Sequence, residues 1–196
     1  MEFIGFPKLT RLNREMIVTE KIDGTNAQVY ITETNDNCVD TLVYELARQD
    51  GFSMFAGSRT RWITPGKNDN AGFASWVKLN AAELFRLGAG QHFGEWWGKG
   101  IQRGYGLEER RFSLFNAERW SDASVRPACC DVVPTLYKGI FKTETINDII
   151  DALNQEGSIV VPGYMKPEGV VIWHTALNRA FKVTCERDES RKSEVK

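Results

Sequence analysis

Lys21 stands in the stretch Val18–Ile31, VTEKIDGTNAQVYI, where Lys-Ile-Asp-Gly separates two β-like runs. Asp and Gly are both depleted in strands, and a break in a local rule of this kind often marks a functional site. A lysine amine is a good nucleophile when neutral, but its reference pKa of about 10.4 leaves it mostly protonated at neutral pH. Lys-x-Asp-Gly is expected by chance in ~4% of chains this long. Alone, therefore, it reads as a solvated lysine at a turn, and other residues must carry the argument.

Several kinds of chemistry are disfavoured at the outset. The two histidines, His92 and His174, are far apart and lie in no ligand-like cluster, which argues against a histidine-based metal site or triad. The four cysteines, Cys38, Cys129, Cys130 and Cys185, form no Cys-x-x-Cys pair, so zinc and redox motifs are unsupported and free thiols in a reducing compartment are expected. The net charge of −1 provides no global basic field, so any contact with nucleic acid needs a local patch. The N-terminus, MEFIGFPKLTRLNRE, is charged and does not read as a signal peptide. No window approaches the roughly 20 apolar residues of a membrane span, so a cytoplasmic protein with no membrane partner is expected.

The elements that would position these residues are mostly strands. MIVTEKI and NAQVYIT read as strands on either side of the Asp-Gly break, and ETNDN (33–37) as a turn. DTLVYELARQDG is ambiguous between strand and helix, and GSRTRWITPG reads as a polar loop carrying Arg59 and Arg61. Phe73, Trp76, Val77, Ala81, Leu84 and Leu87 recur at intervals that predict one amphipathic helix ending near Gly88. HFGEWWGKG reads as a strand entering a Gly-rich loop, RRFSLFNA as a strand, and CCDVVPTLYKGIF as a strand broken at Pro134. Ile146, Ile149, Ile150 and Leu153 mark a second helix, capped by Thr145 with Asp148 and stopped by Gly157. GVVIWH and RAFKVTC form a predicted hairpin through TALNR. Without a regular β-α alternation, the pattern fits an α+β domain of antiparallel sheets flanked by helices. Residues 1–187 are expected to form this domain, and the polar residues 188–196 a disordered tail.

Six segments in order resemble the motifs of the covalent nucleotidyltransferases, the superfamily of ATP-dependent polynucleotide ligases and mRNA capping enzymes. They are EKIDGTN with Lys21, GSRTR with Arg59, FGEWWG with Glu95, FSLFN with Phe115, PEGVVIW with Glu168 and AFKVT with Lys182. Ligases acting on DNA, and capping enzymes, usually carry Arg two residues after the first motif's Gly, where this chain has Asn26. EKIDGTN, GKGIQ and the placement of Phe115 are similar to the RNA ligase 2-like branch, which seals nicked or double-stranded RNA.

The resemblance implies three steps. Lysine attacks the α-phosphorus of ATP and expels pyrophosphate. The AMP then passes to an RNA 5′-phosphate, and a 3′-OH attacks that activated phosphate and expels AMP. Lys21 is thereby the nucleophile, helped by a neighbouring cation, Lys182 or Mg²⁺. Lys182 is implied to hold the α-phosphate, and Glu168 the Mg²⁺ (or Mn²⁺), largely through waters. Asp23 would orient Lys21 or hold a metal-bound water, and Gly24 would allow a sharp turn. Glu95 would accept from a ribose hydroxyl, Phe115 would stack on adenine, and Arg59 would fork onto phosphate or ribose. The main chain at Glu20 and Ile22 would read the adenine edge, with Asn26 beside the nucleotide.

Taken singly, Glu95 reads as a surface carboxylate and Phe115 as core. Trp96 and Trp97 read as packing residues, and Arg110 and Arg111 as a solvated strand end. Lys99 and Arg103, in the Gly-rich loop, are the better candidates for RNA backbone contact.

Two departures shape the expectation. This branch commonly has Lys-x-Lys in its last motif, whereas this chain has Lys182-Val183-Thr184. Only fourteen residues follow Lys182, so the reading is a minimal domain without the family's usual C-terminal domain. Such a domain would have a small RNA surface and could need a protein partner to supplement it. The expected function is thus an ATP-dependent RNA ligase in RNA repair. The rivals are a minimal DNA ligase, a capping-type guanylyltransferase and a non-catalytic module that binds nucleotide or RNA ends.

Overall fold

The computed structural model describes residues 2–34 and 44–186. Cys38, most of ETNDN, the start of DTLVYELARQDG and the proposed tail lie outside the described residues. In chain order the strands are β1 (Glu15–Lys21), β2 (Thr25–Glu33), β3 (Ala47–Gln49), β4 (Phe52–Ser58), β5 (Trp62–Ile63), β6 (Gly90–Gly98), β7 (Arg110–Leu114), β8 (Asp131–Val132), β9 (Thr135–Ile140), β10 (Gly169–His174) and β11 (Arg179–Thr184). The helices are α1 (Phe73–Leu79), α2 (Ala81–Leu84), α3 (Ala117–Trp120) and α4 (Thr143–Glu156), with a 3₁₀ turn at Phe85–Leu87. The expected α+β class holds. The chain forms two compact units, Met1–Lys21 with Pro134–Lys196, and Ile22–Val133.

The first unit contains an antiparallel sheet in the order β11-β10-β1-β9. Strand side chains alternate between faces, so one face can be apolar while the other stays polar. Met16 and Val18 of β1 and Val170 and Ile172 of β10 share the buried face, where they pack with Ile146, Ile150 and Leu153 of α4. The hairpin predicted over GVVIWH and RAFKVTC is present as β10–β11. Helix α4 begins two residues before Thr145 with no side-chain cap bond, so the expected capping pair lies inside the helix.

In the second unit the order is β3-β4-β2-β6-β7-β8, with β5 added against β4. All pairings are antiparallel except β7–β8. Ala27, Val29 and Ile31 of β2 and Met54 and Ala56 of β4 face the core, with Phe73, Val77, Leu84 and Leu87 packed on them. The predicted single helix is instead three pieces. Asn80 breaks it by sending both its main-chain N–H and its side-chain amide to the Trp76 carbonyl, at 3.0 and 2.8 Å. A side chain that competes for a backbone carbonyl in this way disfavours a helix interior. The supposed loop GSRTRWITPG contains the two-residue strand β5, whose Ile63 is buried in the core.

Candidate active site

In the first unit Lys21 ends β1, directly opposite Gly169 of β10, and Gly169 is opposite Thr184 of β11. Two positions along, Thr19, Val171 and Lys182 form the next row on the same face. Alternation therefore places Lys21, Lys182 and Thr184 on the face opposite the α4 core. Glu168, just before β10, accepts a hydrogen bond and ion pair from Lys21 Nζ at 2.6 Å, and both side chains are largely shielded. Among the described residues Glu168 is the only partner of that ammonium, and Lys182 has none. Gly169 is needed where it stands: its φ of 144° lies in the region that favours glycine, and a Cβ would clash with the Val183 carbonyl.

Glu20 has a different role from its neighbour. Its side chain points into the core, is 1% exposed, and accepts hydrogen bonds from Ser158 Oγ at 2.5 Å and from the N–H groups of Ile159 and Val160 at 2.8 and 3.0 Å. A buried carboxylate is tolerated when satisfied in this way. This nest fixes the end of β1, and with it Lys21. Glu20 N–H donates to the Pro134 carbonyl at 3.1 Å, which leaves only the Glu20 carbonyl for an adenine edge. The Ile22 side chain is buried.

In the second unit Asp23 is held at two points. Arg103 Nε donates to its carboxylate at 3.0 Å, and its own N–H donates to Tyr105 Oη at 2.8 Å. Gly24 is required for a different reason than a turn through positive φ. A Cβ there would lie 2.5 Å from the Trp96 carbonyl oxygen, 2.7 Å from Trp97 Cβ and 2.9 Å from Glu95 Cγ, so glycine permits close approach to β6. Asn26 of β2 pairs directly with Glu95 of β6. Their row lies on the face opposite Ala27, together with Gln28, Tyr30 and Phe93. Phe115 follows β7, its N–H bonded to the Phe93 carbonyl, and the residue is 40% exposed.

Trp96 and Trp97 are buried, as their packing role requires, and Trp97 Nε1 donates to Ser113 Oγ at 2.9 Å. Among the expected RNA cations, Lys99 pairs with Glu108 at 2.8 Å and Arg103 is taken up by Asp23. Arg110 bonds the carbonyls of Lys99 and Ala71, lacing loops together, and Arg111 pairs with Glu109. Arg59 and Arg61 are exposed, and their guanidinium groups make no hydrogen bond or ion pair among the described residues, although the Arg61 carbonyl accepts from the Ser58 N–H and Oγ at 2.8 and 3.2 Å. His92 and His174 are structural, bonded to the carbonyls of Gly88 and Leu12.

No group of three or more His, Cys, Asp or Glu residues forms a metal cage among the described residues. A magnesium-type ion needs no such cage, since it binds through one or two carboxylates, waters and substrate phosphates. Nor is any helix among the described residues long and apolar enough to cross a membrane.

Sequence reasoning missed Ser158 and Tyr105. The first lies in GSIVVPG, whose contribution is largely main-chain N–H groups and so has no side-chain signature. The second was hidden in a Gly-rich loop, although an aromatic among glycines there is a detectable cue.

Three solved structures of a Naegleria gruberi RNA ligase share the architecture. The form with ATP and Mn is 19% identical with a TM-score of 0.58, covering 89% of this chain and 50% of that one. The form with pyrophosphate is 19% identical with a TM-score of 0.59, over 89% and 50%. An apo variant is 20% identical with a TM-score of 0.60, over 92% and 53%. At that identity the likeness speaks for the fold, and this chain spans about half the length of those proteins. No curated protein matches significantly. The family profile described as RNA ligase, however, matches residues 14–184, from the start of β1 to the end of β11. That span includes every motif lysine and carboxylate placed above, and the chain belongs to the RNA ligase family.

Proposed function

We propose that this chain is an ATP-dependent RNA ligase that carries AMP on Lys21, with residues 1–187 as its adenylylation domain. The observation that carries the reading is the Lys21–Glu168 pair at 2.6 Å, on the same sheet face as Lys182, whose ammonium has no partner among the described residues. A nucleophile, a carboxylate able to take its place beside a cation, and a second ammonium for phosphate are the parts such a transfer needs.

Lys21 Nζ, once deprotonated, forms the bond to the α-phosphorus of ATP as the bond to pyrophosphate breaks. An RNA 5′-phosphate oxygen then attacks that phosphorus and releases the lysine. A 3′-OH finally attacks the 5′-phosphate and expels AMP. Lys182 neutralises charge on the phosphate during these exchanges. Glu168 and Asp23 would hold the divalent ion, Mg²⁺ or Mn²⁺, largely through waters, and that ion supplies further neutralisation of phosphate charge. Opening the Lys21–Glu168 pair frees the amine and the carboxylate together. Glu95 and Asn26 would serve the ribose side and Phe115 the adenine face, while the Glu20 carbonyl accepts from the adenine amine.

Intact-mass analysis after incubation with ATP and Mg²⁺ tests the reading. A gain of one AMP is expected with ATP but not GTP, lost in both Lys21→Ala and Lys21→Arg, because guanidinium stays protonated. Labelling that survives either substitution places the nucleophile elsewhere. Phe115→Ala should weaken ATP binding by about 1–3 kcal/mol, the usual range for base stacking.

A further inference from the structure

We propose that Tyr30, Phe55 and Trp62 form a platform that stacks an unpaired base of the RNA substrate, with Arg59 and Arg61 taking its phosphates. This rests on the RNA-ligase reading above and extends it to how the strand beside the reacting end is held.

The platform follows from register. Trp62 of β5 lies opposite Gly57 of β4, Gly57 opposite Gln28 of β2, and Gln28 opposite Phe93 of β6. One row thus runs across four strands on the face away from the core. In the next row Tyr30 is opposite Phe55. Gly57 leaves the row low, and a Cβ there would lie 2.6 Å from Gln28 Nε2. The Trp62 ring lies 5.7 Å from Tyr30 and 6.1 Å from Phe55, and Tyr30 lies 6.2 Å from Phe55. None of the three belongs to the buried core, and Trp62 is 36% exposed and Phe93 44%.

Aromatics left open on a sheet face, beside cations, are what single-stranded nucleic-acid binding uses, because every base offers a π-face. Arg59 and Arg61 flank the platform in sequence, and their guanidinium groups have no partners among the described residues. Their unspoken-for charge favours a polyanion, since protein interface cores are depleted of charge. The same face continues toward the residues assigned to the nucleotide. Tyr30 and Asn26 are four residues apart on β2, about 13 Å, and Trp62 is three strands from Phe93, about 14 Å. Gln28, between them, carries a buried Oε1 with no hydrogen-bond partner among the described residues.

The test measures binding of fluorescently labelled RNA at low salt. One RNA is a duplex with a short unpaired flank, and the other is the same duplex trimmed to full pairing. Trp62→Ala should weaken binding of the flanked RNA by about 5- to 100-fold, the range for one stacked base. Trp62→Phe should retain most of the affinity. Trimming the flank should bring wild type down to the level of Trp62→Ala, and AMP labelling of Lys21 with ATP alone should be unchanged. Wild-type affinity in Trp62→Ala, or an equal loss on both RNAs, overturns the platform. Melting temperatures of the variants confirm folding. Wild-type protein that binds flanked RNA through Trp62 but never gains AMP sinks the ligase reading and leaves the platform standing.

Discussion

Two ion pairs lie on either side of Ile22, and they are built differently. Lys21 with Glu168, in the first unit, is a single contact at 2.6 Å between side chains, with no other partner for the ammonium among the described residues. Asp23 with Arg103, in the second unit, is 3.0 Å long and reinforced by the Asp23 N–H to Tyr105. The first pair can open by moving one side chain, while the second also involves the main chain. The contrast suits the proposed role of Lys21 as a nucleophile that is released, and a loop at Asp23 that stays put. Two kinds of carboxylate are separated as well: Glu168 is available to a cation, whereas Glu20 is locked in a nest of three donors.

Glu168→Gln offers the largest break in that comparison. It keeps the shape of the side chain but removes the charge beside Lys21, so self-adenylylation should fall by about 10²–10³-fold, as when a charge-stabilising group is lost. The melting temperature should barely move, because the amide oxygen still accepts from Lys21 and the pair lies on the face opposite the α4 core. Adduct formation at the wild-type rate would show that Glu168 merely parks the lysine. Glu20→Ala should behave in the opposite sense. It strands Ser158 Oγ and two main-chain N–H groups in the core, costing about 1–3 kcal/mol of stability for each donor left unsatisfied, which urea denaturation reads directly. Unchanged stability would mean that the nest does not anchor β1.

How far this division was visible in the sequence depends on what carries each part. Lys21, Glu168 and Lys182 were legible because motif chemistry coincides with strand alternation, and β1, β10 and β11 are regular. The α+β class followed from strands with few helices. The Glu20 nest was not legible, because its donors are one serine hydroxyl and two main-chain N–H groups 138 to 140 residues away. The break at Asn80 was masked by apolar spacing that continues through it. Strand β5 was masked by the arginines around Trp62, since two residues are too few to show a period.

Smaller effects should sharpen the contrast. Tyr105→Phe removes the acceptor for Asp23 N–H while keeping the ring packed on Trp97. One neutral hydrogen bond contributes about 1 kcal/mol, so adenylylation should slow by about fivefold with the Arg103 pair intact. A loss as large as that of Glu168→Gln would erase the distinction between the two pairs. Thr184→Lys acts on the first unit. Thr184 shares a row with Lys21 across Gly169, about 10 Å away over two strand spacings. An added ammonium there should lower KM for ATP a few-fold in steady-state adenylylation assays. No change would show that Lys182 already supplies the charge that the phosphate needs.

The smallest expected effect is a pH dependence confined to the second unit. Burial holds the His92 imidazole below its ordinary pKa, opposed by the hydrogen bond to the Gly88 carbonyl and aided by the Arg119 charge. Its ring is also packed edge-on against Trp120 at 5.9 Å. The unfolded chain therefore takes up a proton below about pH 6.5, the ordinary histidine value, before the folded chain does. Stability from this group is complete above that pH and declines as the pH falls through the window down to the lowered folded value. Melting temperatures at pH 7.5 and 5.5 should thus differ more for wild type than for His92→Gln, which retains a donor for Gly88 but does not titrate. Because His92 is remote in sequence and role from Lys21 and Glu168, adenylylation at pH 7.5 should be equal in the two proteins. Identical pH sensitivity would assign the acid loss to other groups, and a loss of adenylylation at pH 7.5 would mean that packing around β6 reaches the chemistry.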